Sequence, residues 1–385
     1  MIILHVIADL TTGGAEMMLK RLAEAHRSNP EFEHHVVSLH SIGRVGPELE
    51  QLGVPLHALG LRRVTHIPGT LWRLAVLLRK LRPAVVHAWM YHANIFAGLA
   101  GLLCGRPPLI WGIRASTLDE TMGVARATLI LRRHSALASR LLPDVIAYVA
   151  QSARLAHEEL GYDRRKGLVI PNGYPPPRVG KREARRSTSE IVVGSIGRFN
   201  AAKAPKTFVE AAAHVVERRP DARFVMVGRD LSDANAELMS WIGELGLERH
   251  IRLWGERKDV DACLAAMDIF CLHSATEAFP NVVAEAMNAG LSCVATDVGD
   301  TALLLGDAGI LVPPRDPKAL ADALLAMMSA SPEERMRFGE RGRRRISECY
   351  SLESVVKRYE ALYRATAKGL PVPSEATEVE RSCAA

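Results

Sequence analysis

The sequence contains no apolar run long enough to span a bilayer. A membrane-spanning helix needs about 20 consecutive apolar residues, and the nearest candidate, residues 93–104, is too short and suits a buried helix. The N-terminal segment also lacks the basic start and the small-residue cleavage site of an export signal. These absences predict a protein that neither crosses a membrane nor is exported.

Cysteines and aromatic residues are few. The six cysteines form no CxxC pair and mostly lie in apolar stretches, as expected of buried thiols in a reducing compartment. Aromatic residues make up 5% of the chain and are not interleaved with cations in a recognised nucleic-acid-binding module. The sequence therefore indicates a cytoplasmic protein and argues against nucleic acid as a partner.

Two nucleotide-binding fingerprints are missing as well. The first predicted strand runs into Gly13-Gly14 rather than GxGxxG, and no acidic residue stands about 20 residues later at a strand end. A P-loop is also absent. We therefore expect neither a nicotinamide cofactor nor a P-loop nucleotide site.

The composition is that of an ordinary globular protein, with 48% hydrophobic and 24% charged residues. A chain of 385 residues is longer than one hydrophobic core usually supports, so two domains are expected. Residues 1–180 hold 21 Lys and Arg against 13 Asp and Glu, a net +8, and residues 181–385 hold 28 against 30, a net −2. This asymmetry directs the first half toward an acidic partner: nucleic acid, an anionic membrane surface or a phosphorylated substrate.

Short β-branched runs alternate with helical patterns in both halves, which is typical of βαβ units around a parallel sheet. The predicted strands are 2–8, 35–39, 84–88, 109–113, 145–150 and 168–170 in the first half, and 191–196, 223–227, 251–254, 268–272, 292–296 and 309–312 in the second.

Three consecutive prolines and a charge run separate the two halves, and such a segment extends as a stiff spacer. We therefore expect an N-terminal domain over 1–175, a linker over 176–189 and a C-terminal domain over 190–350. An amphipathic helix over 351–367 and a loose polar tail over 368–385 follow. Doubly wound domains bind ligands at the carboxyl ends of their strands, so two such domains facing each other predict a site in the cleft between them.

The turn after the first strand carries Gly13 and Gly14 just before a helix. Their backbone N–H groups can bind an anion at the helix N-terminus. The alternative is a tight turn that needs glycine for a positive φ.

The turn after strand 191–196 carries Arg198 and Lys203. A guanidinium fork and a mobile ammonium together suit a diphosphate whose leaving charge is neutralised without a metal. The alternative is a solvated basic turn.

Two carboxylates follow strand 268–272. Glu277 lies in the loop and Glu285 about one turn inside the next helix, so both can face one site and accept hydrogen bonds from sugar or ribose hydroxyls. The N–H groups of residues 279–282 can bind phosphate oxygens at the helix start. The alternative is that both acids are ordinary surface residues of a helix.

Over nearly its whole length the sequence resembles the retaining GT-B glycosyltransferases of family 4, also called group 1. The motifs that carry the resemblance are Gly13-Gly14-Ala15-Glu16, Ile170-Pro171-Asn172-Gly173, Gly197-Arg198 with Lys203, Gly255, Glu277 and Glu285 with Phe279-Pro280-Asn281-Val282, and residues 295–299 leading to 309–314. The resemblance implies an α/β GT-B architecture, with two doubly wound, Rossmann-like domains facing across a cleft.

It also implies an enzyme that transfers a sugar from a UDP- or GDP-sugar to an acceptor with retention of configuration and without a required metal or other cofactor. The donor is then held mainly by the C-terminal domain and the acceptor mainly by the N-terminal one.

The resemblance further implies roles for particular residues. Arg198 and Lys203 would hold the donor diphosphate and stabilise the leaving nucleotide, while Glu285 would bind the ribose and Glu277 the donor sugar. The backbone of Phe279, Pro280, Asn281 and Val282 would support the sugar and phosphates, and Gly14 would approach the diphosphate. Glu277 acts either as nucleophile or as an orienting group, and the sequence leaves both possibilities open.

Two departures from the family pattern concern the sugar and the acceptor side. Ala278 stands where many members have Gly, which narrows the space beside the donor sugar. Arg114 stands where many members have His, and is expected either to contact phosphate or acceptor or to form a structural ion pair. We also expect His92 and Gly13 on the acceptor side.

Residues 125–141 read as a basic amphipathic helix, either lying on an anionic membrane or packed as a solvated helix on its own sheet. The leading function is transfer to a saccharide or lipid-linked saccharide in cell-surface polysaccharide or glycolipid synthesis, with peripheral contact to the inner membrane face. The alternative is another enzyme of the same fold, such as a sugar-nucleotide epimerase or a disaccharide phosphorylase.

Overall fold

The computed structural model describes residues 1–11, 13–116, 126–177 and 190–376. These residues form two compact units. The first combines the described residues up to Gly173 with those from Leu352 onward, and the second is Tyr174–Ser351. Among the described residues, no helix is both long and apolar enough to cross a bilayer.

The first unit is a parallel sheet covered by helices. Its strands are β1 (Ile2–Ile7), β2 (Glu33–Ser38), β3 (Leu56–Ala58), β4 (Val85–Trp89), β5 (Leu109–Ile113), β6 (Val145–Tyr148) and β7 (Gly167–Val169). They pair in the order β3-β2-β1-β4-β5-β6-β7. The helices are α1 (Gly14–Ala25), α2 (Gly46–Gln51), α3 (Ile67–Leu81), α4 (Met90–Leu102), α5 (Arg126–Ser139), α6 (Gln151–Glu159) and the last helix of the chain, α14 (Leu352–Ala367).

The second unit repeats this plan with six parallel strands. They are β8 (Val192–Ile196), β9 (Arg223–Val227), β10 (Ile251–Leu253), β11 (Ile269–Leu272), β12 (Ser292–Thr296) and β13 (Gly309–Val312), in the order β10-β9-β8-β11-β12-β13. The helices are α7 (Pro205–Arg218), α8 (Ala236–Glu244), α9 (Val260–Ala265), α10 (Asn281–Asn288), α11 (Thr301–Leu305), α12 (Pro317–Ser329) and α13 (Pro332–Cys349).

Each of the predicted strands is present, with its ends shifted by at most two residues. The strand that the sequence did not predict is β3. It has three residues, lies at the edge of its sheet and pairs only with β2, so it lacks the continuous apolar run of the central strands. The central strands are buried on both faces, so their sequences are mainly apolar, and the polar residues among them, such as His5 and His87, are buried as well.

Helix α14 belongs to the first unit and buries an apolar stripe there. Val355, Tyr359, Leu362 and Tyr363 are fully buried in the core of this unit. The segment after α14 differs from the loose tail expected from its polar composition, because a short 3₁₀ turn over Ser374–Ala376 packs on α14 and buries Ala376. Most of the predicted linker, residues 178–189, and the end of the tail, residues 377–385, lie outside the described residues.

A chain of buried histidines runs through the first unit. The indole N–H of Trp89 donates to Nδ1 of His5 (3.1 Å), and Nε2 of His5 lies 2.8 Å from Nδ1 of His34. Nε2 of His34 is 2.7 Å from Nδ1 of His26, whose Nε2 is 3.2 Å from Oε1 of Glu360 on α14. Because an indole nitrogen can only donate, each imidazole accepts on the Trp89 side and donates on the Glu360 side. Burial lowers the pKa of all three histidines, that of His34 to about 3.

Candidate active site

The turn after β8 is built to present Lys203. A 3₁₀ turn over Ala201–Lys203 begins at Asn200, whose side chain accepts a hydrogen bond from the Lys203 N–H (2.9 Å). Ala204 then takes a left-handed conformation (φ +46°), and Pro205 begins α7. The Lys203 side chain remains 21% exposed, so its ammonium can reach a ligand.

The loop after β11 brings Glu277 to the same place. The Lys203 ammonium donates to Oε1 of Glu277, and the Ser274 hydroxyl donates to the same oxygen at 2.7 Å. The backbone N–H of Ala275 donates to the Ala202 carbonyl (2.8 Å), which joins the two loops. Lys203 and Glu277 meet because β8 and β11 are neighbours and both residues follow the carboxyl ends of their strands.

Arg198 is the other predicted cation on the loop after β8. It follows Gly197 directly after β8, and its side chain is exposed. It makes no hydrogen bond or ion pair with the residues that the structure describes. The predicted pair of cations therefore lies on one turn, with Lys203 held by Glu277 and Arg198 open to solvent.

His273 is a member of this site that the sequence did not assign. Its Nδ1 lies 2.6 Å from the Lys203 carbonyl, so this nitrogen carries the proton, and its Nε2 accepts from the Ser195 hydroxyl at 2.6 Å. Burial lowers the pKa of His273 to about 4, so the ring is neutral at physiological pH. A neutral imidazole thus anchors the backbone of the Lys203 turn. The only signal in the sequence was its place at a strand end, four residues before Glu277.

Gly299 allows the Glu277 loop to approach the segment that follows β12 closely. Its φ is +57°, and a Cβ at this position would lie 2.4 Å from the Glu277 carbonyl oxygen and 2.6 Å from that of Ala278. The carbonyl of Ala278 also accepts from the N–H of Asp300 (3.0 Å). Glycine is needed here because both the backbone conformation and the close contact exclude a side chain.

Helix α10 begins immediately after this loop and contains the second predicted carboxylate. Glu285 is its fifth residue and is half-buried, so it lies about one turn inside the helix as expected. The side chains of Phe279 and Asn281 both contact Tyr174 of the same unit. Phe279 stacks near Tyr174 (6.5 Å between ring centroids), and the Tyr174 hydroxyl donates to Oδ1 of Asn281 at 2.6 Å.

The four residues 279–282 do not all offer a donor to a phosphate. Pro280 has no N–H, and the N–H of Asn281 donates to the Phe279 carbonyl at 3.0 Å. The expectation that the N–H groups of all four residues can bind phosphate is therefore wrong for Pro280 and Asn281, whereas the predicted backbone support of the donor sugar and phosphates stays a prediction. Phe279 and Val282 are the residues of this set that still offer a backbone N–H.

At the first turn of the other unit, Gly14 is the exposed first residue of α1 and Gly13 precedes it. Gly13 has φ −161°, an extended conformation that any residue can adopt, so the expectation of a turn requiring positive φ is wrong. A Cβ on Gly13 would instead lie 2.5 Å from Oε2 of Glu16. A side chain at this position would therefore require the Glu16 carboxylate to move aside.

The remaining acceptor-side candidates follow β4 and β5. His92 lies in the first turn of α4 with an exposed side chain, and its pKa is lowered by partial burial and by nearby His40. Arg114 follows β5, and its guanidinium lies over the Trp89 ring, 4.9 Å from the centroid. Arg114 forms no ion pair with a carboxylate in the described chain, so the structural ion pair considered above is not seen among these residues.

No group of three or more His, Cys, Asp or Glu side chains that could hold a metal ion occurs within the described residues. Four cysteines, Cys104, Cys263, Cys271 and Cys293, carry free thiols.

Both halves of the sequence match known family models. Residues 190–330 match the model described as "Glycosyl transferases group 1", and residues 12–178 match "Glycosyltransferase Family 4".

Curated relatives match part of the chain. The UDP-Gal:alpha-D-GlcNAc-diphosphoundecaprenol alpha-1,3-galactosyltransferase of Escherichia coli is 26% identical over 65% of this chain and 67% of its own length. The lipopolysaccharide core biosynthesis mannosyltransferase LpsB of Rhizobium meliloti is 27% identical over 67% of this chain and 80% of its own length. Across the first four relatives the match spans from 48% to 80% of the relative.

Among solved structures, Anabaena HepE in complex with UDP-glucose matches with a TM-score of 0.82 and 20% identity, over 96% of this chain and 100% of that one. This similarity shows a shared GT-B fold. The two family models, which between them match most of the chain, show that it belongs to the group 1, family 4 glycosyltransferases.

Proposed function

We propose that this protein is a retaining glycosyltransferase that moves a sugar from a UDP- or GDP-sugar to a saccharide or lipid-linked saccharide during the synthesis of cell-surface polysaccharide or glycolipid. The observation that carries the proposal is the Lys203–Glu277 pair at the carboxyl ends of β8 and β11, with the exposed cation Arg198 beside it. This is the place where a parallel α/β sheet binds its ligands.

The two cations suit a leaving nucleoside diphosphate. When the donor bond breaks through an oxocarbenium-like state, negative charge develops on the diphosphate oxygens. An arginine fork and a lysine ammonium that share one turn can stabilise that charge. Lys203 is held on such a turn by Asn200 and His273. We therefore expect the reaction to proceed without a required metal ion.

In this proposal Glu277 orients the donor sugar. Two donors, the Lys203 ammonium and the Ser274 hydroxyl, hold one carboxylate oxygen and set the plane of the group. A carboxylate held in this way accepts hydrogen bonds from sugar hydroxyls in a single geometry, which is how an enzyme positions a reacting bond. Glu285, one turn inside α10, would bind the ribose, and Gly14 at the start of α1 would approach the diphosphate.

A lipid-linked acceptor is supported by the outward surface of α3, α4 and α5. Helix α3 packs beside α4, and α4 beside α5. Eight large apolar side chains are exposed on these helices or directly after them: Trp72, Val76, Leu99, Leu102, Leu103, Ile130, Leu137 and Leu141. Exposed arginines, among them Arg73, Arg79 and Arg133, lie on the same helices. Apolar surface concentrated in this way marks an interaction site.

Helix α5 is inverted relative to an ordinary surface helix. Its exposed side carries Ile130 and Leu137, the latter 66% exposed, whereas its buried positions are Arg132, Ser135, Ala136 and Ser139.

The arginines of α5 differ in exposure. Arg132, which lies in the segment predicted to be a basic amphipathic helix, is buried and donates to the Ser116 carbonyl (3.0 Å). Arg126, Arg133 and Arg140 remain exposed beside the apolar residues. A helix with apolar and cationic groups outward suits the surface of an anionic bilayer.

The membrane contact can be tested by co-sedimentation with phosphatidylcholine vesicles that contain or lack phosphatidylglycerol. We expect binding to require phosphatidylglycerol and to weaken in the double variant R133Q/R140Q by about 2 kcal/mol, or roughly 30-fold. The matched control R337Q/R344Q removes two exposed cations from α13 and should bind normally. Binding that is independent of anionic lipid, or an equal loss in both double variants, would contradict the membrane contact.

The transferase activity can be tested by incubating the protein with a panel of nucleotide sugars and measuring nucleotide release with and without acceptor extracts. We expect release to depend on the acceptor. The alternative, an epimerase or a phosphorylase on the same fold, would convert its substrate without a carbohydrate acceptor from the extract. Acceptor-independent conversion would therefore favour that alternative over the proposed transfer.

A further inference from the structure

The carboxyl ends of β4 and β5 hold Arg114, which forms no ion pair with a carboxylate of the residues that the structure describes. The backbone N–H of Arg114 donates to Sδ of Met90 (3.2 Å), which joins the two strand ends. Met90 itself has φ +70°, an unusual conformation for a residue with a side chain. The guanidinium of Arg114 then lies over Trp89, at 4.9 Å from the ring centroid.

Two nitrogens of this guanidinium, Nε and Nη2, are buried and have no hydrogen-bond partner in the part of the chain that the structure describes. The titratable groups that face it are His87 on β4 and Tyr359 and Tyr363 on α14. None of them supplies a negative charge at neutral pH: burial and then Arg114 itself lower the pKa of His87, while burial raises the pKa of both tyrosines. The cation is therefore not neutralised by these neighbours.

The surroundings hold the guanidinium in place. The Trp89 ring is held in its orientation because its indole N–H donates to Nδ1 of His5, the first residue of the histidine chain. Stacking on an aromatic ring stabilises a cation only partly, and buried N–H groups on a charged donor are costly unless they are paired. A fixed guanidinium with two unpaired N–H groups offers a bidentate site for a carboxylate or a phosphate.

We propose that Arg114 binds an oxyanion, a carboxylate or phosphate group carried by one of the two substrates. The proposal rests on the proposed function only where it names the molecule that bears the anionic group, which is either the acceptor or the nucleotide-sugar donor. In either case Arg114 determines specificity, because a substrate without the anionic group would leave the two N–H groups unpaired.

The first arm of the test does not require activity. Inorganic phosphate is titrated into wild type, R114Q and the matched control R27Q, which removes an exposed arginine of the same unit, and thermal unfolding is followed. All three proteins carry K203A as a common background, so the comparison is between K203A, K203A/R114Q and K203A/R27Q. In this background phosphate binding by the Lys203 side chain does not contribute. We expect phosphate to raise the melting temperature in the wild-type and R27Q backgrounds but not in R114Q. Equal stabilisation in R114Q would overturn the proposal.

A second measurement separates ligand binding from a structural role. R114M keeps a long side chain over Trp89 but removes the charge, so without phosphate it should melt no lower than wild type. A clearly lower melting temperature would mean that the cation is already compensated within its own unit, and this would overturn the proposal.

The kinetic arm identifies the carrier in the otherwise wild-type enzyme. R114Q should raise the KM of the substrate that bears the anion by about 10- to 100-fold and leave the other KM unchanged. A raised KM for the acceptor assigns the anion to the acceptor, and a raised KM for the nucleotide sugar assigns it to the donor. If neither KM rises, the proposal is wrong. If wild type transfers no sugar, the proposed function fails, while the phosphate arm still decides whether Arg114 binds an oxyanion.

Discussion

The indole N–H of Trp89 donates to Nδ1 of His5 across 3.1 Å, and this contact sets the hydrogen-bond direction of the whole histidine chain. A protonated imidazole carries two N–H groups, so a proton placed on any of the three rings would bring two donors face to face. The chain is therefore complete only when His5, His34 and His26 are neutral. Glu360, which accepts the last hydrogen bond, ties α14 to this network.

The first prediction is that acid destabilises the protein through this chain. The three histidines have lowered pKa values in the folded state, whereas in the unfolded state they titrate near 6.5. Below that pH the unfolded state binds more protons, so the free energy of unfolding should fall as the pH is lowered, by up to about 1.4 kcal/mol per pH unit for each histidine. For His34 the loss continues to about pH 3.

Denaturant unfolding at pH 7.5, 6.0 and 5.0 measures this slope, and H34Q is the control. Glutamine can accept from His5 and donate to His26 but does not titrate, so the slope should fall by about one proton while most of the stability at pH 7.5 is retained. An unchanged slope in H34Q would show that His34 does not contribute.

The second prediction concerns the ion pair of the candidate active site. K203A and E277Q should each lower the rate of sugar transfer at least 100-fold, because one removes a cation from the leaving diphosphate and the other alters the group that orients the sugar. Nucleotide release measures the rate, and thermal unfolding checks the fold.

Lys206 provides the matched control for K203A. It lies three residues further on, in the first turn of α7, with its side chain exposed. K206A should transfer sugar at nearly the wild-type rate. Near-normal transfer by K203A or E277Q would show that the site has been misplaced.

The third prediction is that His273 acts through the Lys203 turn. H273F removes the hydrogen bonds of the ring to Ser195, Lys203 and Ala204 and should lower kcat about 10-fold or more. H273Q should recover part of the loss because an amide can donate to the Lys203 carbonyl. S195A, which removes the hydroxyl that donates to Nε2 of His273, should have a smaller effect.

The same residue makes a prediction about pH. Because burial lowers the pKa of His273 to about 4, the wild-type kcat should show no titration of this ring between pH 5 and 8. If the wild-type kcat changes with pH in this range and H273Q abolishes that change, the ring exchanges protons during the reaction.

The fourth prediction separates backbone strain from steric contact at Gly299. G246A in the same unit is the control, because Gly246 has φ +65° and open space around it. G246A should cost about 1 kcal/mol from the left-handed conformation alone. G299A should cost clearly more and should also lower activity, since its Cβ would meet the Glu277 carbonyl. Denaturant unfolding and nucleotide release measure both effects. Equal stability and activity of the two variants would contradict the close contact.

Several features were predictable from the sequence because their signals are local. The twelve predicted strands were apolar runs bounded by turn residues, and α14 had its apolar residues at helical spacing. β3 was not predictable, because a three-residue edge strand pairing with one neighbour has no such run. The buried position of Arg132 was also missed, since helical spacing does not say which side of α5 faces the sheet.

The sequence by itself determined the two parallel α/β sheets and the residues that end their strands, because strand and turn preferences act over a few neighbouring positions. Only the tertiary structure decided which of those strand ends meet. Lys203 and Glu277 are 74 residues apart and form a pair because the order of the second sheet places β8 beside β11. The histidine chain has the same origin. It joins β1, β2, β4, the residue directly after α1, and α14, and its direction follows from the single indole donor that the fold places at one end.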